Sequence, residues 1–315
     1  MDLKQFYYYI AIAEESNLSR AAERLYTSQP SLSRFISKLE SSLGVQLFLR
    51  KKNNTLVITE AGELLLDYCR KVVLDYKDYV NYLSENQTNS QQQIIFGVTG
   101  EWALQVVALA LQEFSVIHPN IRIELLQRPA KELIELLHSG YVDIVYCAYI
   151  DKDPALTYVD IFNTRVDLAV PLEHPFAIKG SEVASDSATT VSINQIKNEV
   201  FVLLNNSTIL RQTIQQYFDA NNMNPKVGIE VATSLSALSI VECGLAVGLI
   251  PRGYGSKKAR FLQVDPPLYN TSGIIYRKDT YLTQGKKDLI RICKNLDKTT
   301  DIPCIWSKNH QNTNL

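Results

Sequence analysis

Residues 18–40 read LSRAAERLYTSQPSLSRFISKLE, from Leu18 to Glu40, and this stretch decides the fold of the first part of the chain. Its spacing predicts two short helices joined by a tight turn at Tyr26-Thr27-Ser28. With Leu32 set at zero and about 100° added per residue, Ile36, Leu39 and Leu43 form one apolar stripe. Pro30, Arg34, Ser37 and Ser41 fall on the opposite side, with Ser33 and Lys38 on the flanks. A helix that merely faces water usually carries Glu/Lys pairs there. Small hydroxyls and single cations suit the major groove of a duplex instead, because Ser and Arg reach base edges and phosphates without filling it. Periodicity by itself leaves a plainer reading open, an ordinary solvated face of a small helical domain.

Upstream, Leu3, Phe6, Tyr7, Ile10 and Ala13 recur at helical spacing and predict a helix that ends at Ser16-Asn17. Ser19 is the expected N-cap of the next helix, whose Ala21, Ala22 and Leu25 face inward. Ser28 is expected to cap the second helix of the pair. Pro30 is tolerated in its first turn, where its missing N–H has no partner anyway. Downstream, Gly44 stops that helix. The β-prone segments Val45–Phe48 and Thr55–Ile58 flank Leu49-Arg50-Lys51-Lys52-Asn53-Asn54, which predicts a two-stranded wing with its cations against phosphates. A charged surface turn is the competing reading. Thr59-Glu60-Ala61-Gly62 then opens a long helix with Leu65, Tyr68, Val72, Tyr76, Tyr79 and Leu83 spaced by three and four. A dimerisation helix accounts for this seam, with packing on the chain's own C-terminal part as the alternative. Residues 84–93, SENQTNSQQQ, are wholly polar and mark a boundary.

Beyond that boundary the pattern changes. Short apolar strands, among them Ile94–Val98, Asp143–Cys147, Val166–Val170, Val200–Leu204 and Ala246–Ile250, alternate with helices near 102–117, 130–139, 207–222, 234–243 and 281–296. The alternation predicts α/β architecture with mostly parallel sheets. The segment is large for one such sheet, so two α/β subdomains with a cleft between them are expected.

Composition sets the outer limits. A chain of 315 residues, 46% hydrophobic and 21% charged, has room for two or three folded domains. It holds no apolar run near the roughly 18 residues a membrane span requires, and it enters an amphipathic pattern at once, which points to the cytoplasm. The net charge of −1 hides an asymmetry: residues 1–58 hold eight cations and five acids, so +3, and the remainder carries −4. A basic head on an acidic body fits nucleic-acid binding by one module. The five cysteines, Cys69, Cys147, Cys243, Cys293 and Cys304, are odd in number and never in C-x-x-C spacing, against a disulfide framework or a zinc site. Most are expected to pack as small hydrophobes.

With these residues in view, the chain resembles the LysR-type transcriptional regulators over nearly its whole length. The resemblance rests on Ser16, Ser19-Arg20-Ala21-Ala22 and Leu25, on Ser28-Gln29-Pro30-Ser31-Leu32-Ser33-Arg34, and on the L-E-x-x-L-G-V-x-L-F run from Leu39 to Phe48. Arg50 and the T-E-A-G of Thr59–Gly62 follow. Further on come His118 to Leu125 (HPNIRIEL), the L-x-S-G-x-x-D of Leu137–Asp143, and the GLAVGLIP of Gly244–Pro251. It implies a winged helix-turn-helix in about 1–58, a linker helix and hinge in 59–93, and a periplasmic-binding-protein-like effector domain in 94–300. Subdomain I of that domain would comprise about 94–162 and 265–300, and subdomain II about 163–264, leaving 301–315 as a polar tail. It also implies homodimers through the linker helix, homotetramers, an interrupted inverted repeat of double-stranded DNA, contact with RNA polymerase, and a small-molecule effector with no other cofactor. Gln29, Pro30, Ser33 and Arg34 would enter the major groove, Thr27, Ser28 and Lys38 would support them, and Arg50, Lys51 and Lys52 would hold phosphates. Helical geometry independently sets Pro30, Ser33, Arg34 and Lys38 off the apolar stripe. Gln29 lies about 60° from Leu32 and rests on the resemblance, although its amide can bridge N6 and N7 of adenine.

The resemblance places a small, often anionic effector at Thr99, Gly100 and Glu101 after the first strand, and at Asn206, Ser207 and Thr208 ahead of a helix whose N-terminal N–H groups suit an anion. Two departures bear on it. Glu101 puts a negative charge beside the anion site, and Pro129-Ala130 replaces a glycine-hydroxyl pair, with Arg128 available to compensate. An effector carrying both a cation and an anion, such as an amino acid, answers this pattern; an outward-pointing Glu101 answers it as well.

Two rival classes are weighed. An enzyme would need a nucleophile motif, a phosphate loop or ligand spacing, and His118, His138, His174 and His310 show none. His118 and His174 precede proline, which suggests surface loops, and Asp143 reads as a strand-end residue. A solute-binding protein would need only residues 94–300, and the N-terminal module argues against it.

Overall fold

A computed structural model of the chain describes residues 1–51, 55–85, 92–179 and 190–299. Contacts divide it into two compact units, Met1–Ser90 and Gln91–Leu315.

The first unit begins with α1 (Leu3–Glu15), where Asp2 and Gln5 form a reciprocal capping box. Its core-facing residues are Tyr9, Ala11 and Ile12, whereas Tyr7, expected on the inward stripe, is 46% exposed. Asn17, rather than Ser19, caps α2 (Leu18–Arg24), its carboxamide oxygen accepting from Ser19 and Arg20 N–H. Both residues can cap; the chain makes its extended step at position 17, because Ser16 has just closed α1 in a left-handed turn at φ 50°. Ala21 and Ala22 are buried and bring α3 (Gln29–Leu43) close. Ser28 stands at the N-cap of α3 without making the expected cap bond, its Oγ lying 2.8 Å from Ser31 Oγ. Leu32, Ile36 and Leu39 are buried as the stripe required, and a side chain like Leu32 contributes about 1.5–3 kcal/mol through burial. Leu43 escapes the stripe: one residue before Gly44 (φ 70°) ends the helix, it has no neighbour to cover it and is half exposed.

The wing is β1 (Phe48–Arg50) paired antiparallel with β2 (Leu56–Ile58), Arg50 opposite Leu56. It starts later than the expected Val45 because Glu40 takes the approaching backbone: its Oε1 accepts from Leu47 N at 2.7 Å and Phe48 N at 3.1 Å. Lys52, Asn53 and Asn54 lie outside the described residues. Thr59 locks the wing to α4 (Glu60–Glu85), donating to Gln46 O at 2.7 Å and accepting from Gly62 N at 3.1 Å. Gly62 is required there, since a Cβ would stand 2.4 Å from Leu47 O, and its own carbonyl takes the Tyr9 hydroxyl at 3.0 Å. The base of α4 joins the core through Leu66 and Cys69. Farther along, Tyr68, Tyr76, Tyr79 and Leu83 remain exposed. Of the polar boundary segment, residues 86–91 lie outside the described residues.

The second unit is one mixed sheet in the order β4-β3-β5-β12-β6-β10-β8-β9. These are β3 (Gln93–Val98), β4 (Arg122–Gln127), β5 (Ile144–Ala148), β6 (Leu156–Pro171), β8 (Val200–Leu204), β9 (Lys226–Val231), β10 (Val247–Pro251) and β12 (Leu268–Arg277). Beside them, β11 (Ala259–Asp265) pairs with β6 and with the short β7 (Thr190–Ser192). The expected parallel pairing holds in β4-β3-β5 and in β10-β8-β9. It fails at the centre, where β6 and β12 run antiparallel to each other and to the flanking β5 and β10. The sheet therefore carries two parallel sets joined by two long strands, and each set has its own core. One is built from Val166 through Leu268, with α7 (Pro175–Lys179), α8 (Ile209–Ala220) and α9 (Ser234–Glu242). The other combines residues between Ile94 and Ile161 with Ile274 to Leu296, under α5 (Gly100–Ile117) and α10 (Gln284–Thr299), with α6 (Ala130–His138) covering the opposite sheet face.

Asp143, just ahead of β5, is a structural pin. Its carboxylate accepts from Ile95 N and pairs with Lys286 of α10, each at 2.9 Å. His118 and His174 are not free surface groups: His118 Nε2 lies 3.0 Å from Asp288 Oδ2, and His174 Nε2 lies 3.4 Å from Glu199. Residues 300–315, with the polar tail and Cys304, lie outside the described residues.

Candidate nucleic-acid interface and effector cleft

On the first unit the arginines differ in how their charge is met. Arg20, Arg24 and Arg70 are tied to Glu14 and Glu15 on α1. Arg34, Lys38, Arg50 and Lys51 carry no carboxylate partner among the described residues, and all four are exposed. Arg34 makes only a long contact from Nε to Pro30 O, 3.4 Å, which leaves the guanidinium fork free to turn outward. Gln29, Pro30 and Ser28 are exposed at the leading end of α3, and Thr27 is half-buried behind them, its N–H bonded to Ala22 O at 2.9 Å. The wing brings Arg50 onto the same face, its Nη2 lying 3.0 Å from Ser33 Oγ. Unneutralised cations beside short hydroxyls, on a helix held rigidly by its apolar back, are the physical requirements of a surface that meets phosphates and base edges. The sequence did not disclose the Arg50–Ser33 contact. Its residues are 17 apart and meet only because the wing folds back on α3.

In the second unit, loops at the C-terminal ends of the parallel strands carry the expected effector residues. Thr99 is the N-cap position of α5 without a cap bond, and Gly100 follows at φ 65°, where a side chain would be strained. Glu101 opens the first turn of α5; its side chain lies outside the described residues. Arg128 is fastened beside them by its N–H to Val98 O at 3.3 Å. Its guanidinium donates to Gln127 O at 2.9 Å and stands 4.0 Å from Glu132 in the first turn of the following α6, so part of its charge is already met. Across the sheet, Asn206 and Ser207 are exposed ahead of α8, and Thr208 Oγ1 serves as the helix cap, accepting from Arg211 N at 3.2 Å.

A contact between the two strand-end edges comes from residues the sequence reading passed over. Trp102, in the first turn of α5, packs against Tyr254, just after β10, with ring centroids 5.7 Å apart and planes inclined at 37°. Gly253, at φ 127°, makes room for it, since a Cβ there would lie 2.7 Å from the indole. The two edges therefore face each other, the arrangement in which open α/β sheets take ligands. A tryptophan following a Gly-turn, matched by a Gly-Tyr pair after a later strand, was the available signal.

A winged helix-turn-helix followed by a two-lobed binding domain defines a class of one-chain transcriptional regulators. The described helices include none long and apolar enough to cross a membrane. Residues 3–63 match the family model for the bacterial regulatory helix-turn-helix protein, lysR family, and residues 87–297 match the LysR substrate binding domain. The chain belongs to the LysR family of transcriptional regulators. It is 26% identical over 286 residues to YybE, an uncharacterized HTH-type transcriptional regulator of Bacillus subtilis, covering 90% of this chain and 94% of YybE. It is 27% identical over 280 residues to HcaR, the Hca operon transcriptional activator of Escherichia coli, covering 88% of this chain and 86% of HcaR. In structure it is similar to a full-length OxyR variant from Pseudomonas aeruginosa, with a TM-score of 0.66 at 18% identity over 93% of this chain and 98% of that one.

Proposed function

We propose that this regulator binds a specific interrupted inverted repeat of double-stranded DNA and that a small metabolite between the lobes of its second unit modulates that binding or promoter activation. The observation that carries the DNA-reading half is that the wing's Arg50 reaches Ser33 of α3, beside exposed Arg34 and Lys38 of α3 and exposed Lys51 of the wing, none of these cations having a carboxylate partner among the described residues, while Arg20, Arg24 and Arg70 are paired with α1. Gln29, Pro30, Ser33 and Arg34 meet base edges; Thr27, Ser28 and Lys38 support them; Arg50, Lys51 and Lys52 meet phosphates. The exposed Tyr68, Tyr76, Tyr79 and Leu83 of α4 support a homodimer through that helix, and a homotetramer that engages RNA polymerase follows from the family. The protein acts in the cytoplasm as a regulator without catalysis.

For the effector, we assign Thr99, Gly100, Glu101, Arg128, Asn206, Ser207 and Thr208 as binding residues, and the Trp102–Tyr254 contact between the two strand-end edges supports a site there. Since Arg128 already shares its charge with Glu132, an effector bearing a cation as well as an anion fits better than a bare carboxylate. A thermal-shift and calorimetry panel tests this, and binding confined to simple mono- or dicarboxylates would count against it.

The DNA assignment is tested by selecting genomic fragments with the full-length protein and titrating the selected site. Arg34→Ala should weaken the selected site while sparing random DNA. Lys51→Ala should weaken both and flatten the salt dependence by about one ion. Equal losses on both duplexes for Arg34→Ala would remove its base-reading role.

A further inference from the structure

Arg50 closes β1, and its side chain reaches back over α3 to place Nη2 3.0 Å from Ser33 Oγ. A guanidinium has donors and no acceptor, so the direction of this bond is fixed: Arg50 donates and Ser33 accepts. A serine hydroxyl has one proton and two lone pairs. Within a helix that proton is commonly spent on a carbonyl one turn back, as Ser42 does with Leu39 O at 2.8 Å, Ser115 with Gln112 O at 3.0 Å and Ser239 with Leu235 O at 3.1 Å. Ser33 makes no such bond, and Arg34 Nε leans on the Pro30 carbonyl one turn before it. The hydroxyl proton of Ser33 is therefore unspent among the described residues, one lone pair is taken, and a full positive charge sits 3.0 Å from the oxygen.

We propose that Arg50 is a positioning residue that converts Ser33 into a hydrogen-bond donor toward the major groove. This rests on the assignment of α3 as the DNA-reading helix and adds a chemical rule to it. Ser33 meets an acceptor edge, namely guanine N7 or O6, adenine N7 or thymine O4. The amino group of cytosine is disfavoured at that position, because a second donor approaching Ser33 Oγ would face the guanidinium's charge as well as an occupied lone pair. Arg50 thus has two effects: its charge favours any phosphate backbone, and its bond to Ser33 favours particular bases.

The test uses full-length protein, the selected genomic duplex and every single-base variant of one half-site. Three substitutions are compared: Ser33→Ala, Arg50→Gln and the double. All alter exposed or half-exposed side chains, and thermal unfolding checks that the fold is kept. Ser33→Ala should flatten the preference at one base position, where the unsubstituted protein disfavours cytosine by about tenfold. Arg50→Gln should lower affinity for every duplex and flatten that same position. In the Ser33→Ala background it should lower affinity only, with no further change in base preference. Cytosine preferred at the responsive position, an unchanged preference in Arg50→Gln, or independent effects of the two substitutions would overturn the proposal. So would a Ser33→Ala protein with all preferences intact. Failure of the underlying DNA-reading assignment looks different: the unsubstituted protein would then show no preference at any position.

Discussion

Lys286→Met should be among the most damaging single substitutions in the second unit. Lys286 Nζ and Asp143 Oδ1 are 2.9 Å apart, with side chains only 4% and 7% exposed. At an effective dielectric of about 20, two charges at that distance attract by about 6 kcal/mol. Desolvation costs several kcal/mol per ion, so the intact pair contributes little net stability. Removing the lysine alone leaves the carboxylate buried and short of its cation, a loss of about 3–5 kcal/mol. For a unit of this size that lowers the midpoint by about 2–4 °C per kcal/mol, so roughly 6–20 °C in all. The double substitution Asp143→Asn/Lys286→Met should recover most of the loss, because an amide oxygen still accepts from Ile95 N while no charge is left. Urea unfolding followed by Trp102 emission measures this, with Trp306, the other of the two tryptophans, replaced by phenylalanine. A Lys286→Met cost below about 1 kcal/mol, or a double variant weaker than the single, would refute the reasoning.

Gly62→Ala should destabilise the first unit by about 1–3 kcal/mol in thermal unfolding, despite the better helix propensity of alanine, because the new Cβ would meet the Leu47 carbonyl oxygen at 2.4 Å and the Ile58 side chain at 2.6 Å. Burial works against the Asp288 carboxylate, but hydrogen bonds from Gln284 and His118 and the charge of Arg291 outweigh it and hold its carboxyl below the usual range. The stability this confers is present above the unfolded pKa and lost as pH falls through the folded one, so Asp288→Asn should be less stable at neutral pH and indistinguishable in strong acid; an equal deficit at both ends of a pH series would refute it. Burial pushes the thiols of Cys69, Cys147 and Cys293 up to about 11, 12 and 12, while Cys243 is exposed. Peptide mapping after iodoacetamide should find Cys243 alkylated in the native protein, and those three only after unfolding.

The helices of the first unit were legible because one face of each is buried, and periods of three and four register that burial in the sequence. Where a motif encodes a bond rather than a face, spacing was silent: Glu40 holding the wing backbone and Thr59 with Gly62 locking α4 look like ordinary helix residues in the chain. Spacing pointed to Ser19 as the cap of α2, and the left-handed turn at Ser16 gave the cap to Asn17 instead. In the second unit the parallel strands stood out as short apolar runs. The first half of β6 did not, since Asp160, Asn163, Thr164 and Arg165 interrupt any run; β6 crosses between the two sets, where its side chains meet polar neighbours such as Thr271, whose hydroxyl lies 3.2 Å from Asn163 Oδ1. Pro30, Ser33, Arg34 and Lys38 could be set off the apolar stripe of α3 by spacing, and Gln29 could not. Trp102, Tyr254 and the Arg50–Ser33 bond were not legible, because each depends on a long-range approach that no local period records.

The two long central strands also bear on the order in which a ribosome can finish this protein. One core is closed by residues lying between Val166 and Leu268. The other begins at Ile94 but is sealed only by Ile274 to Leu296. As the chain emerges, the later-begun lobe can complete itself first, while the earlier one waits for β12 and α10 and for the cation that answers Asp143. A protein truncated near residue 270 would keep the material of one finished core and leave the other without its lid, offering open sheet edge to its neighbours. Premature termination between the two closures should therefore give an aggregation-prone fragment with an intact helix-turn-helix unit, and not a smaller regulator.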